Sequence, residues 1–193
     1  MEENRAKLVR AARHAFATKG FAAASMDELT ADVGLTRGAL YHNFGDKTGL
    51  LAAVVAELDG EMAAQARKAS EAASNGWDAL LAEGSAYIAM ALDPQVRRIV
   101  LLDGPAFLGD PSTWPSQNAC LELTRQAVVE LVAEGVMKPV DVEAAARLLS
   151  GAALNAALWV AASDEPRAVL PKAIEAFRAM ATGLLADRTS GRR

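Results

Sequence analysis

The stretch Ser25–Lys47, SMDELTADVGLTRGALYHNFGDK, constrains the fold more than any other part of the chain. Two short amphipathic segments flank Gly34, and each opens on its own hydroxyl residue. Ser25 followed three residues on by Glu28 is a capping box: the hydroxyl takes an orphan backbone N–H, and the carboxylate reaches back to the cap's own N–H. Leu29 and Val33 give the first segment one apolar stripe. Gly34 stands where a left-handed residue ends a helix and reverses the chain. Thr36 caps a second helix whose Leu40 and Phe44 face inward. The other side of that helix carries Arg37, Gly38, Ala39, Tyr41, His42 and Asn43. Small residues beside a cation, an aromatic ring and an amide form a surface able to enter a DNA groove. The pattern is a helix-turn-helix with a recognition helix.

The rest of the chain reads as all-α. Its 193 residues suffice for a sizeable core, and 52% are hydrophobic while only 5% are aromatic. Those apolar residues are chiefly Ala, Leu and Val, and Ala is the best helix former. A first helix spans residues 3–19, with Leu8, Ala12, Ala15 and Phe16 on one face and Arg5, Arg10 and Arg13 on the other. Gly20 closes it. Arg5 and Arg13 either touch phosphate or make a solvated basic face. Asp46 caps a long fourth helix reaching to about Ser74, in which Gly60 marks a bend or close packing. Further helices are expected over 78–92, from Pro94 to Gly104-Pro105, over 116–134 and over 142–162, with a last one ending near Leu185. Ile99 to Leu102 run without a polar face, so burial on several sides is expected there. Pro171 either kinks the last helix or opens it after a short turn.

Composition also excludes classes. The single Cys120 leaves no intrachain disulfide and no cysteine-based metal cluster. Glu2 and Glu3 are unlike a signal peptide, and the apolar stretch Leu148–Ala162 is short for a membrane span, so a cytoplasmic protein is expected. Both histidines, His14 and His42, lie in the first fifty residues, and no Gly-rich phosphate loop is present. No catalytic role and no cofactor or metal are expected. The net charge of −4 divides unevenly: seven basic residues oppose six acidic ones up to residue 50, and the remainder is acidic. That asymmetry suits a DNA-facing head on an acidic body.

Taken in order, Phe16, Lys19-Gly20-Phe21, Ser25…Leu29, Gly34-Leu35-Thr36, Leu40-Tyr41-His42-Asn43-Phe44 and Asp46-Lys47…Leu50-Leu51 resemble the N-terminal DNA-binding domain of the TetR family of ligand-responsive transcription regulators. The resemblance covers roughly residues 5 to 52. Thr48 and Gly49 depart from it, standing where family members often carry an acidic residue, which would anchor the fourth helix less firmly. The resemblance implies a helix-turn-helix domain over 1–46, a regulatory, ligand-binding and dimerisation domain over 47–187, and a disordered tail at 188–193. It implies a homodimer on double-stranded operator DNA, released by a small hydrophobic or aromatic effector. A constitutive regulator without ligand, or an enzyme on a borrowed helical fold, are the alternatives, and repressor and activator are not distinguished.

Specific residues follow for each part. Arg37 can engage guanine O6 and N7 together. Tyr41 stands at the family's near-constant tyrosine, where its hydroxyl would donate to phosphate. Thr36, Asn43 and Lys47 suit phosphate contacts, and Ser25 caps and can contact phosphate too. Gly38 and Ala39 permit close approach, and His42 meets phosphate, a base edge or Phe44. For an apolar effector cavity the candidates are Met62, Trp77, Tyr87, Met90, Phe107, Trp114, Asn118 and Asn155, with Cys120 near them and Trp114 as a lid. The eighth helix is apolar nearly all round, so one flank meets the chain's own core and the other a second copy. The interface expected from it and the ninth helix uses Leu148, Leu149, Ala152, Ala156, Trp159, Val160, Phe177, Met180 and Leu184. A monomeric core centred on the eighth helix is the alternative.

Overall fold

The computed structural model describes residues 2–187; the tail expected at 188–193 lies outside them. In chain order the helices are α1 (Glu2–Lys19), α2 (Met26–Asp32), α3 (Arg37–Phe44), α4 (Lys47–Ser70) and α5 (Gly76–Ala89). A π-helical segment (Val96–Asp103) then runs into α6 (Gly104–Leu108), followed by α7 (Pro115–Ala133), α8 (Val142–Ala162) and α9 (Pro166–Thr182). The expectation of an all-α chain holds. The one β feature among the described residues is an isolated bridge between Met137 and Leu185.

Local chemistry explains most of the boundaries. The side chains of Ser25, Thr36, Asp46, Asn75 and Asp141 accept from the backbone N–H of Glu28, Ala39, Gly49, Asp78 and Ala144 at 3.5, 3.2, 2.7, 2.9 and 2.8 Å. Each such cap stabilises its helix by about 1 kcal/mol. The capping box at Ser25 is only half formed, because the Glu28 carboxylate accepts instead from Lys19 Nζ at 2.6 Å. Gly34 sits at φ 66°, the left-handed conformation that the turn between α2 and α3 needs.

The sixth helix differs most from expectation. Gly104-Pro105 does not end it: the helix widens into π geometry and continues to Leu108. At the join, the Gly104 N–H reaches back five residues to the Ile99 carbonyl, and Pro105 has no N–H to restore the tighter ladder. Ile99, Val100 and Leu101 are buried as expected, but Leu102 is turned outward. α9 runs unbroken through Pro171, which selects a helix beginning at Pro166 over one beginning at Pro171. It stops at Thr182, earlier than expected. Beyond it the chain pairs with the α7–α8 connection, Lys138 N–H donating to Leu184 O and Ala186 N–H to Val136 O, both at 2.9 Å.

One continuous core joins head and body. Leu8, Ala12, Phe16, Leu29 and Leu40 meet Leu50, Leu51 and Val54 of α4, and the buried stripe continues through Leu58, Met62 and Ala66 against α5. With 24 residues α4 extends for about 36 Å, long enough to belong to both parts. Gly60 plays no part in close packing: it is exposed, with nothing within 4 Å of where a Cβ would stand. The start of α4 is firmly anchored, contrary to the expectation from Thr48 and Gly49. A Cβ on Gly49 would lie 1.9 Å from the Phe44 carbonyl oxygen, so only glycine lets the α3–α4 junction close while Asp46 caps its N–H.

α8 has 21 residues and is long and apolar enough to cross a membrane, so the length argument from Leu148–Ala162 fails. Its packing against α5, α7, α9 and the π segment gives it a different place, as a helix at the centre of the body with one face uncovered.

Candidate nucleic-acid interface and internal cavity

The outer face of α3 is open to solvent. Thr36, Arg37, Gly38, Tyr41 and His42 are exposed, while Leu40 on the reverse side is fully buried. Arg37 pairs loosely with Asp27 of α2 at 3.2 Å, and its guanidinium carbon stands 6.0 Å from the Tyr41 ring centroid. Both groups of that ion pair are well exposed, so it holds Arg37 weakly and a guanine edge can displace it. Ser25 and Thr36 spend their hydroxyl oxygens on helix caps. Ala39 is half-buried at the edge of the face.

Two expected phosphate ligands are engaged elsewhere. The Asn43 amide donates to the Ala39 carbonyl on its own helix at 2.7 Å. The Lys47 ammonium donates to Ala22 O at 3.2 Å and lies 4.6 Å from the Phe21 ring centroid, and burial pulls its pKa down. Arg13 is not a phosphate ligand in this arrangement either. It donates to Gln95 Oε1 at 2.8 Å and spans Glu57 and Glu61 on α4, and the hydrogen bond it donates to Glu61 leads in raising its pKa. Arg5 stays exposed, its guanidinium 5.4 Å from the Phe44 ring.

The head is latched to the body by the same neighbourhood. Asp103, at the end of the π segment, accepts the Phe21 backbone N–H at 2.8 Å and the Arg98 guanidinium at 3.3 Å. Arg98 lies flat against Gly20, where a Cβ would come 2.0 Å from its Nη2. Phe107 of α6 packs its ring on Phe21 with centroids 4.5 Å apart. Arg97 points to the other side and donates to the carbonyls of Ala161 and Ser163 at the end of α8, at 2.8 and 3.2 Å. One segment thus touches both the DNA-facing head and the end of α8.

Inside the body, α4, α5, α7, α8 and α9 enclose a cavity of about 70 Å³. Its walls are Ala63, Ala66, Leu80, Gly84, Leu149, Ala153 and Phe177, and its polar groups are Glu83, Tyr87, Gln117, Cys120, Thr124 and Ser150. Of the eight residues expected to line an effector site, only Tyr87 lines this cavity. Met62 and Met90 border a separate surface groove, Trp77 is core, and Asn118 and Asn155 face solvent. Phe107 serves the head latch. Trp114 is no lid: it is buried with its ring end on Gly104, and its indole N–H has no partner. Cys120 does reach the cavity, and burial pushes its thiol pKa up.

The residues missed in the sequence lie on inward stripes that contain acids or amides. Leu80, Glu83, Gly84 and Tyr87 share one face of α5, and Gln117, Cys120 and Thr124 share one face of α7, at i, i+3 and i+7 spacing. An acid inside an apolar stripe was the available signal. Asp59 of α4 is the deepest case, at 2% exposure. Its carboxylate accepts from Ser116 Oγ at 2.5 Å and lies 3.3 Å from the Gln117 amide, which also donates to the Tyr87 hydroxyl at 3.3 Å. Burial raises the Asp59 pKa above its ordinary 3.8 despite those bonds, and burial likewise raises that of Tyr87. An acid whose folded pKa is raised binds its proton more tightly when folded. Its contribution to stability is therefore complete below 3.8 and is lost as pH rises through the folded value. Asp59→Asn is expected to melt above the wild type at pH 7, with the gap closing as pH falls below 3.8. Calorimetry across that range checks it; a gap independent of pH would remove burial of the charge as its cause.

The dimer residues also divide. Leu149, Val160 and Phe177 are buried within the protomer, Leu149 and Phe177 on the cavity wall, so these three are not available to a second copy. Leu148, Trp159 and Met180 remain 72%, 51% and 54% exposed, with Ala152, Ala156 and Leu184 half-buried beside them.

Comparison with known proteins decides what this arrangement is. Residues 8–54 match the family described as bacterial regulatory proteins, tetR family, and residues 77–184 match the tetracyclin repressor-like C-terminal domain. The chain belongs to the TetR family. A crystal structure of a TetR-family transcriptional regulator from Pectobacterium atrosepticum superposes with a TM-score of 0.88 at 42% identity, covering 97% of this chain and 96% of that one. The HTH-type transcriptional repressor AcnR of Corynebacterium jeikeium is 29% identical over 151 residues, 77% of each chain. The transposon Tn10 TetC protein of Escherichia coli is 28% identical over 149 residues, 75% of this chain and 73% of its own. As a TetR-family member the chain is a DNA-binding transcription regulator.

Proposed function

We propose that this TetR-family regulator is a cytoplasmic homodimeric repressor that binds a palindromic operator and leaves it when a small molecule fills the cavity of the body. The division of labour follows the notional boundary at residue 46, with the head reading DNA and residues 47–187 dimerising and binding the effector. The observation that carries the reading is the open α3 face, on which Arg37, Gly38, Tyr41 and His42 stand clear of the rest of the protein. Arg37 would read a base, Tyr41 and Thr36 would contact phosphate, and Gly38 and Ala39 would allow close approach. Ser25 and His42 would add backbone contacts. Asn43 and Lys47 would need to leave their present partners to do so.

Dimerisation would cover Leu148, Ala152, Ala156 and Trp159 of α8 with Met180 and Leu184 of α9, in a two-fold interface. Release is a matter of differential affinity. The effector must favour an arrangement of α4 and the π segment in which the paired heads no longer match the duplex, because equal affinity for both states shifts nothing. Selection of bound sequences from randomised duplex DNA is expected to return an inverted repeat whose half-sites lie about 34–36 Å apart or a multiple of that. Recovery of single, unrepeated half-sites would overturn the dimeric reading.

A further inference from the structure

We infer that the cavity of the body selects a small hydrophobic monocation, an ammonium with a short alkyl tail whose charge pairs with the Glu83 carboxylate and whose N–H groups meet the Ser150 hydroxyl. The inference rests on the reading of this cavity as the effector site and names the chemistry of its ligand.

Three features of the cavity point the same way. The first is charge: no Lys, Arg or His lines the cavity, whereas Glu83 does, and the buried carboxylate of Asp59 lies just behind Gln117 and Tyr87. An anionic ligand would meet the Glu83 carboxylate and no cation on the wall. The second is unmet hydrogen bonding. Among the described residues Glu83 has no hydrogen-bond or ion-pair partner, and the buried Ser150 hydroxyl oxygen has none either. Arg67 on α4 is exposed and makes no ion pair with Glu83, although its charge draws the Glu83 pKa down against the larger effect of burial. A neutral hydrocarbon would strip water from both groups and give nothing back, which is the costly way to fill such a site. An ammonium satisfies both with charge-assisted bonds.

The third observation is the opposite wall. Leu80, Leu149, Ala153 and Phe177 offer only carbon, and the Phe177 ring can also face a cation. A volume of 70 Å³ holds about five water positions and is about half that of a cavity that takes up benzene, which leaves room for an alkyl tail of about four carbons and none for a ring. Burial raises the Glu83 pKa, so the empty site holds its carboxylate at a cost that a bound cation would relieve.

The test uses the full-length protein and three near-isosteric probes: butylammonium, 1-butanol and butanoate, titrated by calorimetry at pH 7. Butylammonium is expected to bind at least tenfold more tightly than either of the others. Glu83→Gln should weaken butylammonium at least tenfold and leave 1-butanol within about twofold. Gly84→Ala supplies an independent arm. Its Cβ would come 2.5 Å from the end of the Phe177 ring and force that wall residue to shift, so this variant should change the affinity for the amine and the alcohol alike. Thermal melts check that each variant is folded. The inference is overturned if butanoate or 1-butanol binds as tightly as the amine, if Glu83→Gln leaves the amine unaffected, or if none of the probes binds. A gel shift with the selected operator separates this from the effector reading: an amine that binds through Glu83 without releasing DNA sinks the effector role and leaves the ligand class standing.

Discussion

Trp159→Asp is expected to turn the protein into a monomer and to lower its affinity for the operator by about 10²–10⁴-fold, the factor by which linking two binding heads commonly exceeds one. Trp159 is half exposed on α8, and Leu148, Ala152 and Ala156 precede it along the same side of the helix. With Met180 of α9 they leave a run of large apolar groups uncovered in the single chain. In a two-fold interface each substitution occurs twice, and an aspartate placed there would have to be buried without a partner. Because the side chain is outside the protomer's own core, the melting temperature of the monomer should change little. Sedimentation and a gel shift on the same sample check both halves of the result. A variant that stays dimeric would move the interface away from α8.

Arg37→Ala should act differently, on sequence discrimination rather than on assembly. Losing a bidentate contact to guanine costs about 1–3 kcal/mol per half-site, or about 5–150-fold, at the preferred operator. Affinity for unrelated duplex should hardly change, since phosphate contacts carry that part. Asp27→Ala is the informative companion, because it frees Arg37 from its 3.2 Å partner without touching the recognition face. It should leave binding equal or slightly tighter. If Arg37→Ala binds the selected and the scrambled sites with the same ratio as wild type, another residue reads the base.

The head was legible in the sequence because its rules are local. Ser25, Thr36 and Asp46 cap within three residues of themselves, and Gly34 turns the chain on its own account. The capping box failed at Glu28 because Lys19, nine residues earlier, competes for the same carboxylate. The surroundings of Lys47 and Arg13 are not legible in the sequence, which shows a basic side chain but not its neighbours: Phe21 comes from the α1–α2 connection and Glu61 from α4. The π segment could not be read at all, since it differs from an α-helix by a single step in hydrogen-bond register at Gly104.

The cavity is illegible in the sequence for a related reason. Aromatic and Met residues do not mark it, because large side chains fill space, and the walls that leave space are Ala63, Ala66, Gly84 and Ala153. On α8 and α9, Val160 and Phe177 sit one residue round from the outward face, and a rotation of about 100° per residue separates core from surface. Hydrophobicity alone does not resolve that angle on a helix that is apolar nearly all round.

The latch of Arg13, Gln95, Arg98 and Asp103 shares no residue with the cavity wall. Under the function proposed above, sensing and transmission would therefore occupy separate sets of side chains, and the α5, α7 and α8 positions around Glu83 could be redesigned for a new inducer while the contacts that would relay the signal are carried over unchanged. A biosensor built on this scaffold would need its library confined to those wall positions.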